Sequence, residues 1–81
     1  MSRPAPDLAA LGRAVLAIRM ERGMSQVQIA QATGFRQGWL SNVEHGRRNP
    51  SWSNIIRLSE GLGVKTSTLV RRAERLAEGS D

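Results

Sequence analysis

Cysteine and tyrosine are absent from these 81 residues, and phenylalanine, histidine and lysine occur once each. Without cysteine, neither disulfides nor thiolate metal ligands can staple a chain this short. One histidine gives a metal ion too little to bind, so no metal or cofactor is expected and His45 reads as a surface turn residue. No apolar run approaches the roughly 20 residues of a membrane helix. The opening Met1-Ser2-Arg3-Pro4-Ala5-Pro6 lacks the apolar stretch of a secretory signal. A cytoplasmic protein with no membrane partner is therefore expected. Alternating apolar patterns are missing, which excludes strands. So is a glycine-rich phosphate loop. Ser41, Glu44 and His45 supply the residue types of a hydrolytic triad, but neighbours on a helix point in different directions. Nothing here reads as an enzyme.

What is present is arginine. Twelve cations, eleven of them arginine, face seven anions and leave a net charge of +5. The arginine fork suits phosphates and guanine edges, and a basic balance favours an acidic partner. Arginine enrichment also arises from base composition in a gene, so charge alone does not decide for DNA.

Five short helices account for the chain. The first six residues, with two prolines and no periodicity, read as a flexible arm, and residues 7–78 as one domain. From Asp7, which reads as an N-cap, Leu8, Leu11, Val15 and Ile18 line one helix face up to Gly23. Ser25 caps a second helix with Ile29 and Ala30 inward and Gly34 just past its end. A third runs over about residues 37–44, with Phe35, Leu40 and Val43 on its apolar side and Gly46 at its exit. After the loop Arg47-Arg48-Asn49-Pro50, Ser51 caps a fourth helix carrying Ile55, Leu58 and Leu62, ended by Gly61 and Gly63. The fifth covers about residues 67–78, with Leu69, Ala73, Leu76 and Ala77 on one side.

The stretch Ser25 to Glu44 is a helix, a tight glycine-containing turn and a second helix. Gly34 stands where the turn needs a positive φ. Ala30 stands where the two helices cross closely. Ile29, Leu40 and Val43 would pin the pair to the core.

These residues resemble the Cro/cI-type helix-turn-helix family of phage repressors, restriction-modification controllers and antitoxin partners. The resemblance runs from Leu11-Gly12 to Leu62-Gly63-Val64. It is carried by Arg19, Arg22-Gly23-Met24-Ser25-Gln26, Ile29-Ala30, Thr33-Gly34, Leu40-Ser41, Val43-Glu44, Gly46 and Pro50-Ser51. It implies an all-α, five-helix, lambda-repressor-like DNA-binding domain. The function implied is a sequence-specific transcriptional regulator of double-stranded DNA, a repressor by kinship, with the third helix in the major groove.

By the same resemblance, Arg36, Gln37, Ser41 and Asn42 fall on base-reading positions, with Gln37 and Asn42 suited to adenine and Arg36 to guanine. Gly38, among them, has no side chain with which to read. Gln26, Trp39, Arg47, Arg48 and Asn49 fall on phosphate-contacting positions, Gln26 at a helix start that offers free N–H groups. Partial burial is the other reading of Trp39, and a solvated basic loop that of Arg47 and Arg48. Arg19 is implied to pair with Glu44, a structural role.

Val70, Ala73, Leu76 and Ala77 either meet a second copy in a symmetric homodimer or fold back onto their own core, with Leu69 plugging that core. A dimer would demand a near-palindromic operator. The competing reading is a protein-interaction module of antitoxin or anti-repressor type, gripping its partner through exposed Trp39 and Trp52. Whether a toxin or RNA polymerase is a partner is not written in the residues.

Overall fold

The computed structural model describes residues 6–79. The arm expected over residues 1–6, with Arg3, lies outside the described residues apart from Pro6. Five helices follow in order: α1 Leu8–Glu21, α2 Gln26–Thr33, α3 Gln37–Glu44, α4 Trp52–Leu62 and α5 Thr66–Ala77. None of them is long and apolar enough to cross a membrane.

Local chemistry sets most helix ends. The Asp7 carboxylate accepts from the Ala10 N–H at 2.8 Å and starts α1. Ser25 and Gln28 form a reciprocal capping box at α2, and the Ser51 hydroxyl accepts from the Asn54 N–H at α4. Gly34 ends α2 at φ +79°, a left-handed conformation that costs glycine nothing and redirects the chain into α3.

One core holds the bundle together. Ala14, Val15, Ile29, Leu40, Leu58, Leu62 and Leu69 are fully enclosed, and Ala10, Ile18, Val43, Ala73 and Leu76 nearly so. Every helix contributes to it, so α2 and α3, at eight residues each, are stabilised by burial rather than by their own propensity.

The structure narrows one open reading and corrects two expectations. Of the two readings left open for α5, folding back onto the core holds for Ala73 (2% exposed) and Leu76 (7% exposed), which are buried within the protomer. The cause is α5 itself, which lies along α1 in the most extensive contact between any two helices. It is fastened there by Arg72, which donates two hydrogen bonds to Glu21 at 2.7 and 3.0 Å. Gly61 does not end α4 but lies inside it. A Cβ there would collide with the Thr33 methyl, so this glycine marks where α2 presses on α4. Likewise, α5 begins at Thr66, one residue before the expected start, with Lys65 as an N-cap that makes no side-chain bond.

Candidate nucleic-acid interface

The surface of interest is built from the outward side of α3 and the segments that flank it. Leu40 and Val43 face the core at 0% and 1% exposure, fixing the rotation of α3 about its axis. That rotation leaves Arg36, Gln37 and Gly38 exposed at its N-terminal end and Ser41 and Asn42 half-buried further along. The five positions expected to read bases therefore lie along one element, from the N-cap of α3 to its sixth residue.

The C-terminal end of α3 is locked from below. Gly12 of α1 lies directly against the Val43 and Glu44 carbonyls, and a Cβ at Gly12 would stand 2.7 Å from the Glu44 oxygen. The Glu44 side chain, 3% exposed, accepts from Arg19 Nε at 2.7 Å and from Arg19 Nη2 at 3.0 Å. The bonded carboxylate raises the Arg19 guanidinium above its ordinary pKa. Arg19 Nη1 also donates to the Met24 carbonyl at 3.0 Å, joining the α1–α2 loop to the same point. The Arg19–Glu44 pair thus takes the structural position expected of it.

Gln26 enters this network. Its Nε2 donates to Glu44 Oε1 at 2.8 Å, and its Oε1 accepts from Gln37 Nε2 at 3.5 Å. The chain of bonds runs from α1 through the end of α3 and the start of α2 to the first residue of α3. Sequence reasoning missed the Gln26–Glu44 contact, and no local signal marks it, because the two lie 18 positions apart. It missed Gly12 too, although a glycine inside a strongly periodic helix is a recognisable sign of close packing.

The N-terminal turn of α3 rests on aromatics. Trp39 is half-buried and stacks on Phe35, ring centroids 4.4 Å apart, so it is not the exposed anchor that a protein-interaction reading requires. Arg57 of α4 covers the other ring of the pair, its guanidinium carbon 4.2 Å from the Phe35 centroid, and donates to the Thr33 carbonyl. Beyond α3, Arg47, Arg48 and Asn49 are exposed in the loop to α4. His45, at the end of α3, places Nδ1 2.8 Å from the Ser41 carbonyl and is turned to solvent.

With this geometry in place, the sequence matches a helix-turn-helix domain family over residues 10–77. The chain belongs to the Cro/cI-type helix-turn-helix transcriptional regulators. It is 35% identical over 63 residues to an uncharacterized HTH-type transcriptional regulator of Sinorhizobium fredii, covering 78% of this chain and 82% of that one. It is 35% identical over 60 residues to the immunity repressor protein of Bacillus phage phi105, covering 74% of this chain but only 42% of the repressor. Among solved structures, the restriction-modification controller protein C.AhdI from Aeromonas hydrophila superposes with a TM-score of 0.74 at 31% identity. That match covers 76% of this chain and 94% of C.AhdI. The regulator therefore spans nearly the whole of a compact relative and less than half of the phage repressor.

Proposed function

We propose that this regulator binds double-stranded DNA as a homodimer on a near-palindromic operator, with α3 in the major groove. One observation carries the reading: the N-terminal end of α3 is uncovered while its C-terminal end is immobilised by Gly12 and the Arg19–Glu44–Gln26 network. A rigid rod with a free polar edge is what base readout needs. Arg36, Gln37, Ser41 and Asn42 take the base edges. The N–H groups at the start of α2 beside Gln26, the free edge of Trp39, and Arg47, Arg48 and Asn49 take the phosphates. Residues 7–78 act as one binding unit, and two copies place their α3 helices about 34–36 Å apart, one turn of DNA.

With Leu76 enclosed, the dimer contact falls to half-buried Val70 and Ala77 and to the apolar groove that Val70 enters. Leu8, Leu11, Trp52 and Ile55 line that groove with Val70 and the floor residue Ala73. A second reading, a protein-binding module, rests on Trp52, which is 63% exposed at the groove's edge.

Titration of operator-containing and random duplexes across a salt series tests the proposal. Gln37→Ala and Asn42→Ala should each lose about 1–3 kcal/mol on the operator and little on random DNA. Arg48→Ala should weaken both alike and lower the salt slope by about one. Equal affinity of the parent protein for operator and random duplexes would refute base reading. A tight heteromeric complex formed without DNA affinity would favour the second reading.

A further inference from the structure

His45 carries the only imidazole in the chain, and it is exposed at the C-cap of α3. At about 100° per residue it stands roughly 140° round the helix from buried Leu40, on the outward stripe of Gly38 and Asn42. From Gln37 to His45 the helix rises about 12 Å. The major groove is also about 12 Å wide. A helix with its first turn on base edges therefore carries His45 out to the phosphates that border the groove. Arg47 and Arg48 follow it in the exposed loop.

One hydrogen bond fixes the chemistry of the ring. Its Nδ1 lies 2.8 Å from the Ser41 carbonyl oxygen. A carbonyl only accepts, so Nδ1 carries a hydrogen whether the imidazole is neutral or charged, and Nε2 alone changes. Neutral Nε2 presents a lone pair, which a phosphate oxygen repels. Once it has taken a proton from solvent, it presents an N–H donor and a positive charge, which a phosphate holds.

Histidine is the side chain that ordinarily makes this change between about pH 5 and 8, and the sequence has one histidine and no cysteine. The charged groups around it are few. Glu44 precedes it, turned inward and bonded to Arg19 of α1 and Gln26 of α2. The N-terminal end of α1, which meets Gly46, bears Asp7 and Arg13. The helix α2 carries no charged residue.

We propose that His45 is a proton-gated phosphate contact: each protomer takes up one proton at Nε2 on binding double-stranded DNA. This rests on α3 being the reading helix. The charged form is the one that pairs with phosphate, so affinity rises as pH falls. Because the contact is to the backbone, it strengthens binding to every sequence alike.

The test uses two labelled duplexes, one selected by the parent chain from a randomised pool and one of random sequence. Each is titrated at about pH 5.5 and about pH 8 across a salt series. Parent, His45→Gln, His45→Lys and Gln37→Ala are compared, with thermal melts of each at both pH values. The parent should bind both duplexes roughly tenfold more tightly at the lower pH, as expected of two exposed ion pairs in a dimer. Its salt slope should steepen there by about two. His45→Gln should show one affinity and one slope throughout, and His45→Lys, a fixed cation, should keep the steeper slope at both pH values. A parent whose affinity and slope stay constant, or a pH dependence that persists in His45→Gln, overturns the contact. If Gln37→Ala loses preference for the selected duplex, α3 reads bases and only the contact has fallen. If it keeps the parental preference, base reading by α3 falls and the contact with it.

Discussion

Replacing Gly12 by alanine adds one methyl group at the point where α1 meets the end of α3. That Cβ would stand 2.7 Å from the Glu44 carbonyl oxygen and closer still to that of Val43. Against an ordinary carbon–oxygen contact of about 3.3 Å, the two backbones must part by at least ~0.6 Å. Neither partner is a flexible side chain, so the cost belongs at the upper end of the range for overpacking, about 3 kcal/mol. Alanine's higher helix propensity returns about 1 kcal/mol, which leaves a net loss of about 2 kcal/mol. For a domain of this size that lowers Tm by roughly 8–16 °C. Gly38→Ala is the internal control: a Cβ there meets nothing within 4 Å, so propensity acts alone and Tm should rise. Gly61→Ala should fall between them, because its obstacle is a threonine side chain. Thermal melts by circular dichroism rank the three variants. A Gly12→Ala protein as stable as the parent would refute the close approach, and with it the account of how α3 is held.

Removing Arg19 strands a carboxylate that is 3% exposed, so Arg19→Met should cost about 3–5 kcal/mol in urea unfolding. Adding Glu44→Leu to Arg19→Met should recover most of that loss; a double variant as unstable as the single one would show that the pair itself, not the orphaned charge, carries the stability. Between α5 and the last residue of α1, Arg72 donates to Glu21 and holds its carboxyl below the usual range. A depressed native pKa stabilises the fold above the unfolded-state value, about 4.3, and the contribution disappears as pH falls through the native value. Glu21→Gln should therefore unfold more readily than the parent at pH 7, with the difference closing on acidification below about pH 4. A gap between their urea midpoints that persists at low pH would contradict this.

Helices, caps and turns were legible because each is written within four or five residues. Ser25 with Gln28, and Gly34 after Thr33, announce their roles locally, and the spacing of Leu8, Leu11, Val15 and Ile18 identifies a buried face. Periodicity does not say what covers that face. Ala73 and Leu76 read correctly as apolar and buried, yet only the placement of α5 along α1 shows that the cover comes from the same chain. The Arg72–Glu21 contact joins positions 51 apart, and Gln26 reaches Glu44 across 18. No helical repeat encodes such pairs; they follow from the assembled bundle. The candidate interface divided the same way. Its exposed residues were readable from the motif, whereas the contacts that orient them were not, apart from the Arg19–Glu44 pair that the family resemblance implied.

That division points to Phe35 as the residue governing the free end of α3. Eight residues are too few for an independently stable helix. The C-terminal half is fixed by Leu40, Val43 and Glu44, but the turn bearing Gln37 and Gly38 has no side-chain N-cap at Arg36. Its support is Trp39 stacked on Phe35, with Arg57 over the Phe35 ring. An aromatic pair contributes about 0.5–1.5 kcal/mol, and a cation over a ring at an exposed site about 0.5–1 kcal/mol. Phe35→Ala removes both, together with part of its own burial, while Leu40, Val43 and the Glu44 network stay in place. The fold should survive with a loss of about 2 kcal/mol, below the 3–5 kcal/mol of a fully buried phenylalanine. Amide exchange should accelerate from Gly38 to Leu40 far more than at Val43 and Glu44, and operator affinity should fall by more than the change in unfolding free energy predicts. Uniform acceleration along α3 would mean that the helix opens as one unit, and that its reading end has no separate support.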